Sequence, residues 1–245
     1  MASIKEMQEL LKQAREAGEE KQIANMAYKL GDTYLEKGKL AQALPLLQEA
    51  HSLCEKLNNP NSQAIVALSL ASLYLVQEEA DKAEQAAKPA YDHFKGLDEP
   101  QGRVKGCLLM GDSKWSRGQY EQALQYYEEA QQVCQTGGDV IGKATFLDRQ
   151  AKMYRFMEND QKALSLFQKS LQCWQQLDVP DREAMTLANL GDIHKQLGDI
   201  SQAIVCHEQA LSIYKGLKQA NAVSTLEQEL AALKNLPAEE DSSQT

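Results

Sequence analysis

The chain has 245 residues, 43% of them apolar and 25% charged, with a formal net charge of −9. That apolar content excludes disorder throughout and supports a sizeable core. The acidic balance excludes a nucleic-acid backbone as the main partner, because phosphate binding draws on surplus Lys and Arg.

In chain order, residues 4–17 (IKEMQELLKQAREA) predict a first helix. The N-terminal stretch lacks the basic start, apolar core and small-residue cleavage site of a secretory signal. From residue 20 onward the chain repeats with a period of 40, over about 20–59, 60–99, 100–139, 140–179 and 180–219. Leu30–Gly31 returns as Leu70–Ala71, Met110–Gly111, Gln150–Ala151 and Leu190–Gly191. Ala43 returns as Ala83, Ala123, Ala163 and Ala203, and Ala50 as Ala90, Ala130, Ser170 and Ala210. Such self-similarity marks a stacked repeat architecture, in which each unit buries its apolar face against its neighbours.

Each repeat predicts two helices. In the first helix of repeat 1, Ile23, Met26, Ala27, Leu30 and Tyr34 fall at steps of three and four and so form one stripe. A turn follows at Gly38, Glu78, Gly118, Glu158 or Gly198, and Asn159 and Asp199 stand as N-caps of the next helix. Gly31 and Ala43 lie where two antiparallel helices cross closely, so a larger side chain there would overpack the contact. Repeat 2 carries Ala86, Ala87 and Pro89 in its second helix, which predicts a thin helix kinked at Pro89. Gly102, Gly106 and Gly142 weaken the first helices of repeats 3 and 4, as blemishes or as a hinge. Residues 221–236 predict a capping helix stopped by Pro237, and the tail 238–245 (AEEDSSQT) is acidic enough to be disordered. One domain is therefore expected over 1–237.

The segments LGDTYLEKGKLAQALPLLQEA (30–50) and MGDSKWSRGQYEQALQYYEEA (110–130) carry a Leu-Gly-like pair, an aromatic three residues on, a glycine and then spaced alanines. This pattern resembles the tetratricopeptide repeat (TPR) family. The usual unit has about 34 residues. The longer unit here, with a loop such as KLNNPNSQA (56–64), is similar to the subclass found in Pins/LGN, rapsyn and kinesin light chain. The resemblance implies an all-α fold, a right-handed α-solenoid of about 12 helices in stacked antiparallel pairs, with first helices lining a concave groove that holds a peptide. Carried over by register, the groove positions are Asn25, Tyr28 and Lys29 in repeat 1, Leu68 in repeat 2, and Lys105, Leu108 and Trp115 in repeat 3. Repeat 4 supplies Arg149, Lys152, Arg155 and Phe156, with Asp148 beside them, and repeat 5 supplies Asn189. The Lys and Asn clamp of chaperone-binding members is not matched, since Leu68, Ser72, Leu108 and Asp112 occupy its positions.

Little else in the sequence carries chemistry. Phosphate-cradling and nucleophile-elbow motifs do not occur. The four histidines, His51, His93, His194 and His207, have no metal-ligand spacing, and neighbouring Cys206 and His207 point in different directions on a helix. Neither a metal nor a cofactor is expected. Five cysteines without a CxxC read as small buried apolar residues, which suits a reducing compartment and a cytoplasmic location. No apolar run reaches the ~18 residues that spanning a bilayer requires. Paired carboxylates such as Glu78–Glu79 and Glu128–Glu129 are expected on solvated faces. The expected function is that of a non-enzymatic adaptor, monomeric or weakly homo-oligomeric, that binds a peptide or helix of a partner protein. Arg149, Lys152 and Arg155 would receive acidic or phosphorylated groups, with Trp115 and Phe156 as sites for apolar anchors. A self-associating scaffold and a regulator of an enzyme partner are the alternatives.

Overall fold

A computed structural model describes residues 3–97 and 99–235 of the chain. The described residues form twelve helices and no strand. Two compact units divide them. The first, Met1–Gly137, holds α1 (Ile4–Ala17), α2 (Glu20–Glu36), α3 (Leu40–Lys56), α4 (Pro60–Val76), α5 (Ala80–Leu97), α6 (Pro100–Ser116) and α7 (Tyr120–Thr136). The second, Gly138–Thr245, holds α8 (Val140–Phe156), α9 (Asp160–Gln176), α10 (Pro180–Gln196), α11 (Ile200–Gly216) and α12 (Ala220–Lys234). The expected stop at Pro237 and the tail 238–245 lie outside the described residues.

The helix ends follow from one backbone device. Described residues at every twentieth position from Gly18 to Lys218 have φ between 48° and 83°, the left-handed region that reverses a helix end. Five of these positions lack the glycine that favours this conformation, namely Asn58, Glu78, Glu158, Asp178 and Lys218. The residue that follows then serves both helices. Asn159 donates its N–H to the Tyr154 carbonyl at 2.8 Å, and its side chain accepts from the Lys162 N–H at 3.2 Å. Asp199 does the same with the His194 carbonyl and the Gln202 N–H, at 2.8 and 3.1 Å. Both are the N-caps expected from sequence, and the short reversal they share makes the two flanking helices antiparallel.

Packing within each unit runs between neighbours. In the first unit consecutive helices pack from α1 to α7, with α2 on α4 and α4 on α6 as well; in the second they pack from α8 to α12. The alanine column Ala43, Ala83, Ala123, Ala163 and Ala203 has no exposed surface at all. Facing the Leu-Gly column stands a second one, Leu47, Ala87, Tyr127, Phe167 and His207, each at most 1% exposed. A Cβ on Gly31 would stand 2.9 Å from Leu47 Cγ, and one on Gly111 or Gly191 would overlap the ring of Tyr127 or His207. Small residues in the first helix thus make room for large ones in the second, which is how the pair reaches close-packed density. All five cysteines are buried and unbridged, and burial pushes the Cys107 thiol up to about 12.

α5 runs through Pro89 as one helix. The small side chains of that segment leave a cleft of about 570 Å³, lined by Ala64, Ala67 and Tyr74 of α4 and by Ala86 and Pro89. Gly102 and Gly106 are contact sites, because a Cβ on Gly102 would overlap the Phe94 ring and one on Gly106 would lie 3.0 Å from Tyr91 Cα. They allow α6 to approach the backbone of α5, which the loss of helix propensity, about 1 kcal/mol each, does not outweigh.

Candidate functional site

In the first unit the expected groove residues come from α2, α4 and α6. Asn25 is exposed and Tyr28 half-buried, and both line a cleft of about 500 Å³ with Ile65, Val66, Leu57 and Asn59. Burial, then the neighbouring Asp32 carboxylate, raises the Tyr28 hydroxyl above its ordinary value. Ser69 donates to that carboxylate at 2.9 Å, joining α4 to α2. Lys29 is exposed on α2 but does not line the cleft. On α6, Lys105 is exposed while Leu108 and Trp115 are half-buried, and none of the three joins the cleft.

Leu68 departs from its expected place. It is 2% exposed and belongs to the core, so it offers no surface to a ligand. The cause is the composition of α4, where Ala64, Val66, Ala67, Leu68, Ser69, Leu70, Ala71 and Leu73 are all buried. A helix apolar on every side is buried on every side, and register alone cannot tell its faces apart. Ile65, one turn earlier on α4, is 41% exposed.

In the second unit α8 carries the charge. Arg149, Lys152 and Arg155 are half-buried along it, and Phe156 at its end is 61% exposed. Burial lowers the Lys152 ammonium below its ordinary value; Asp148 opposes this, and Arg149, Arg182 and Arg155 push it lower still. Arg182, on α10, belongs to this cluster although sequence gave no sign of it. Arg155 Nη1 also pairs with Asp192 Oδ2 at 3.3 Å. Asp148, placed in the groove by register, is instead 8% exposed and turned into the core. It accepts from Trp174 Nε1 at 2.9 Å and from Thr186 Oγ1 at 3.3 Å. Burial raises its carboxyl, with hydrogen bonds from Ser170 and Trp174 acting against that rise. Asn189 is half-buried, its Nδ2 donating to the Met185 carbonyl at 2.8 Å.

The arrangement has the chemistry to hold an anion. A half-buried lysine among three guanidiniums is relieved by a bound negative charge, and Arg can pair with it through two donors at once. Among the described residues, one group of side chains is close enough to hold a metal ion, Asp192 with His207 and Glu229. No described helix is long and apolar enough to cross a membrane.

Comparison with solved structures places the fold among repeat proteins. BtubC (BKLC) from P. vanneervenii superposes with a TM-score of 0.77 at 20% identity, covering 88% of this chain and 91% of that one. The apo quorum sensor NprR from B. thuringiensis gives 0.76 at 17% identity, over 91% of this chain and 64% of that one. Nearly identical TPR-like repeats from Podosopora anserina, assigned to a kinesin light chain, give 0.65 at 15% identity, over 78% and 95%. At these identities the likeness is one of fold. Comparison with curated protein sequences finds no match. The family model of the tetratricopeptide repeat matches residues 22–95, 106–172 and 142–216, three quarters of the chain taken together. The chain belongs to the tetratricopeptide repeat family.

Proposed function

We propose that the chain is a non-enzymatic protein-interaction adaptor whose second unit receives an acidic or phosphorylated segment of a partner on α8. The observation that carries this reading is the cluster of Arg149, Lys152, Arg155 and Arg182 in a chain of net charge −9. Four cations brought together against that balance make a local anion receptor. Phe156, 61% exposed beside Arg155, offers an aromatic contact of the kind that dominates interface energetics. The cleft at Asn25, Tyr28 and Ile65 supplies a second, mainly apolar contact in the first unit. Membership of a repeat family whose solenoids host many partners supports binding, and the partner class is argued from the charge.

Fluorescence anisotropy with labelled peptides tests the reading. Peptides that combine Asp, Glu or phosphoserine with an aromatic residue bind more tightly than neutral peptides of the same length. The double change Arg149→Glu with Arg182→Glu lowers their affinity by about tenfold or more, and added salt weakens the wild-type complex. It leaves Lys152 in place and removes two of its like-charged neighbours. If acidic and neutral peptides bind equally, or if the double variant binds as the wild type does, α8 is not the receptor.

A further inference from the structure

Along the column that places Leu47, Ala87, Tyr127 and Phe167 in the core, α11 places His207, which is 1% exposed. Neither Nδ1 nor Nε2 of this ring has a hydrogen-bond partner. The other members of the column pack as apolar groups or, at Tyr127, donate to Asp112 at 2.6 Å. Packing therefore does not require a histidine here, and a buried polar ring left unsatisfied calls for a partner.

Two carboxylates flank the ring. Asp192 Oδ1 on α10 lies 3.6 Å from Nε2, and Glu229 Oε2 on α12 lies 3.4 Å from Nδ1. One ligand atom from each of the three residues falls within 4.8 Å of the other two. Ligands bonded to a tetrahedral zinc at about 2.0–2.2 Å stand about 3.3 Å apart, so an ion on one ring nitrogen requires the carboxylate beside the other nitrogen to swing across to it, a movement that the 40% exposure of each carboxylate side chain permits. The ring itself cannot shift toward α10, because it lies directly on Gly191, where even a methyl group has no room. Arg155 Nη1 donates to Asp192 Oδ2 at 3.3 Å and so leaves Oδ1 aimed at the ring, as an outer-shell partner orients a metal ligand.

We propose that Asp192, His207 and Glu229 bind a divalent transition-metal ion of the zinc class, which ties α12 to the α10–α11 pair. The nitrogen donor sets this class apart from calcium and magnesium, which take oxygen ligands. One imidazole nitrogen and one oxygen from each carboxylate make three protein ligands, and the half-open side admits water as the fourth.

The full chain, stripped of metal and titrated with zinc chloride against a chromophoric chelator, tests the site. The wild type takes up one zinc here, and Glu229→Gln weakens its affinity by about tenfold or more. His207→Phe, which installs the residue found at this register in α9, abolishes uptake while keeping the core filled. Zinc raises the thermal midpoint of the wild type and, at the same concentration, raises that of the Glu229→Gln chain less. If His207→Phe does not fold, the half-exposed Glu229 decides alone. Absence of uptake by the wild type overturns the proposal, as does zinc binding that survives Glu229→Gln and His207→Phe and is lost on changing His51, His93 and His194.

Discussion

Glu158 holds its backbone at φ 57°, a conformation that glycine holds at Gly38, Gly118 and Gly198. Left-handed backbone costs a residue with a Cβ about 1–2 kcal/mol, and the greater freedom of glycine in the unfolded chain offsets about 0.5–1 kcal/mol of that. The difference favours glycine. Glu158→Gly is therefore expected to stabilise the fold by about 0.5–1 kcal/mol, seen as a higher urea midpoint at unchanged m-value. This turn was legible in the sequence because three of its five copies are glycine. The turns between repeats adopt the same conformation at Asn58, Asp178 and Lys218, with no glycine there to signal it. Leu68 was misplaced for a related reason: in α4 apolar residues surround the helix, so the period that separates core from surface elsewhere is missing.

Between elements, the bond that sequence could not disclose is the one centred on Glu129 of α7. Sequence placed it with Glu128 on a solvated face, yet its side chain is only 22% exposed. It accepts from Tyr91 at 2.8 Å on α5 and from Arg103 at 2.8 Å on α6, partners 38 and 26 residues away. Burial pushes the Glu129 carboxyl up, but the bonds from Tyr91 and Arg103 outweigh it and hold the group below its ordinary value. A carboxyl held lower in the folded state adds stability that is fully present above its unfolded value, about 4.3, and lost as pH falls through the folded value. Glu129→Gln should accordingly cost about 1 kcal/mol at neutral pH, with the gap to wild type closing as pH falls below about 4. Paired urea titrations at the two pH values check both the size and the sign. Asp148 teaches the same lesson, since its inward turn depends on Trp174 and Thr186, 26 and 38 residues further along. Local periodicity carries the helices but not the polar bonds between them.

Within each unit, contacts that join a helix to those one or two places along the chain make stability a sum of local terms rather than one global quantity. The same separation explains why the metal-competent group could not be read from the sequence. Its three residues sit on three helices, at positions 192, 207 and 229, and no ligand spacing arises until the helices stack. What α12 adds to the second unit can be sized from its buried leucines, Leu226, Leu230 and Leu233, which are 4, 6 and 2% exposed. Each contributes about 1.5–3 kcal/mol by leaving water, so removing the helix withdraws several kcal/mol from the repeat it covers. A chain ending at Gln219 is therefore expected to lose hydrogen-exchange protection in α10 and α11 while α2 to α5 keep theirs, because exchange there is governed by local opening. Uniform loss of protection across every helix would mean that the repeats fold as one cooperative body, and local contacts would then be an insufficient account of their stability.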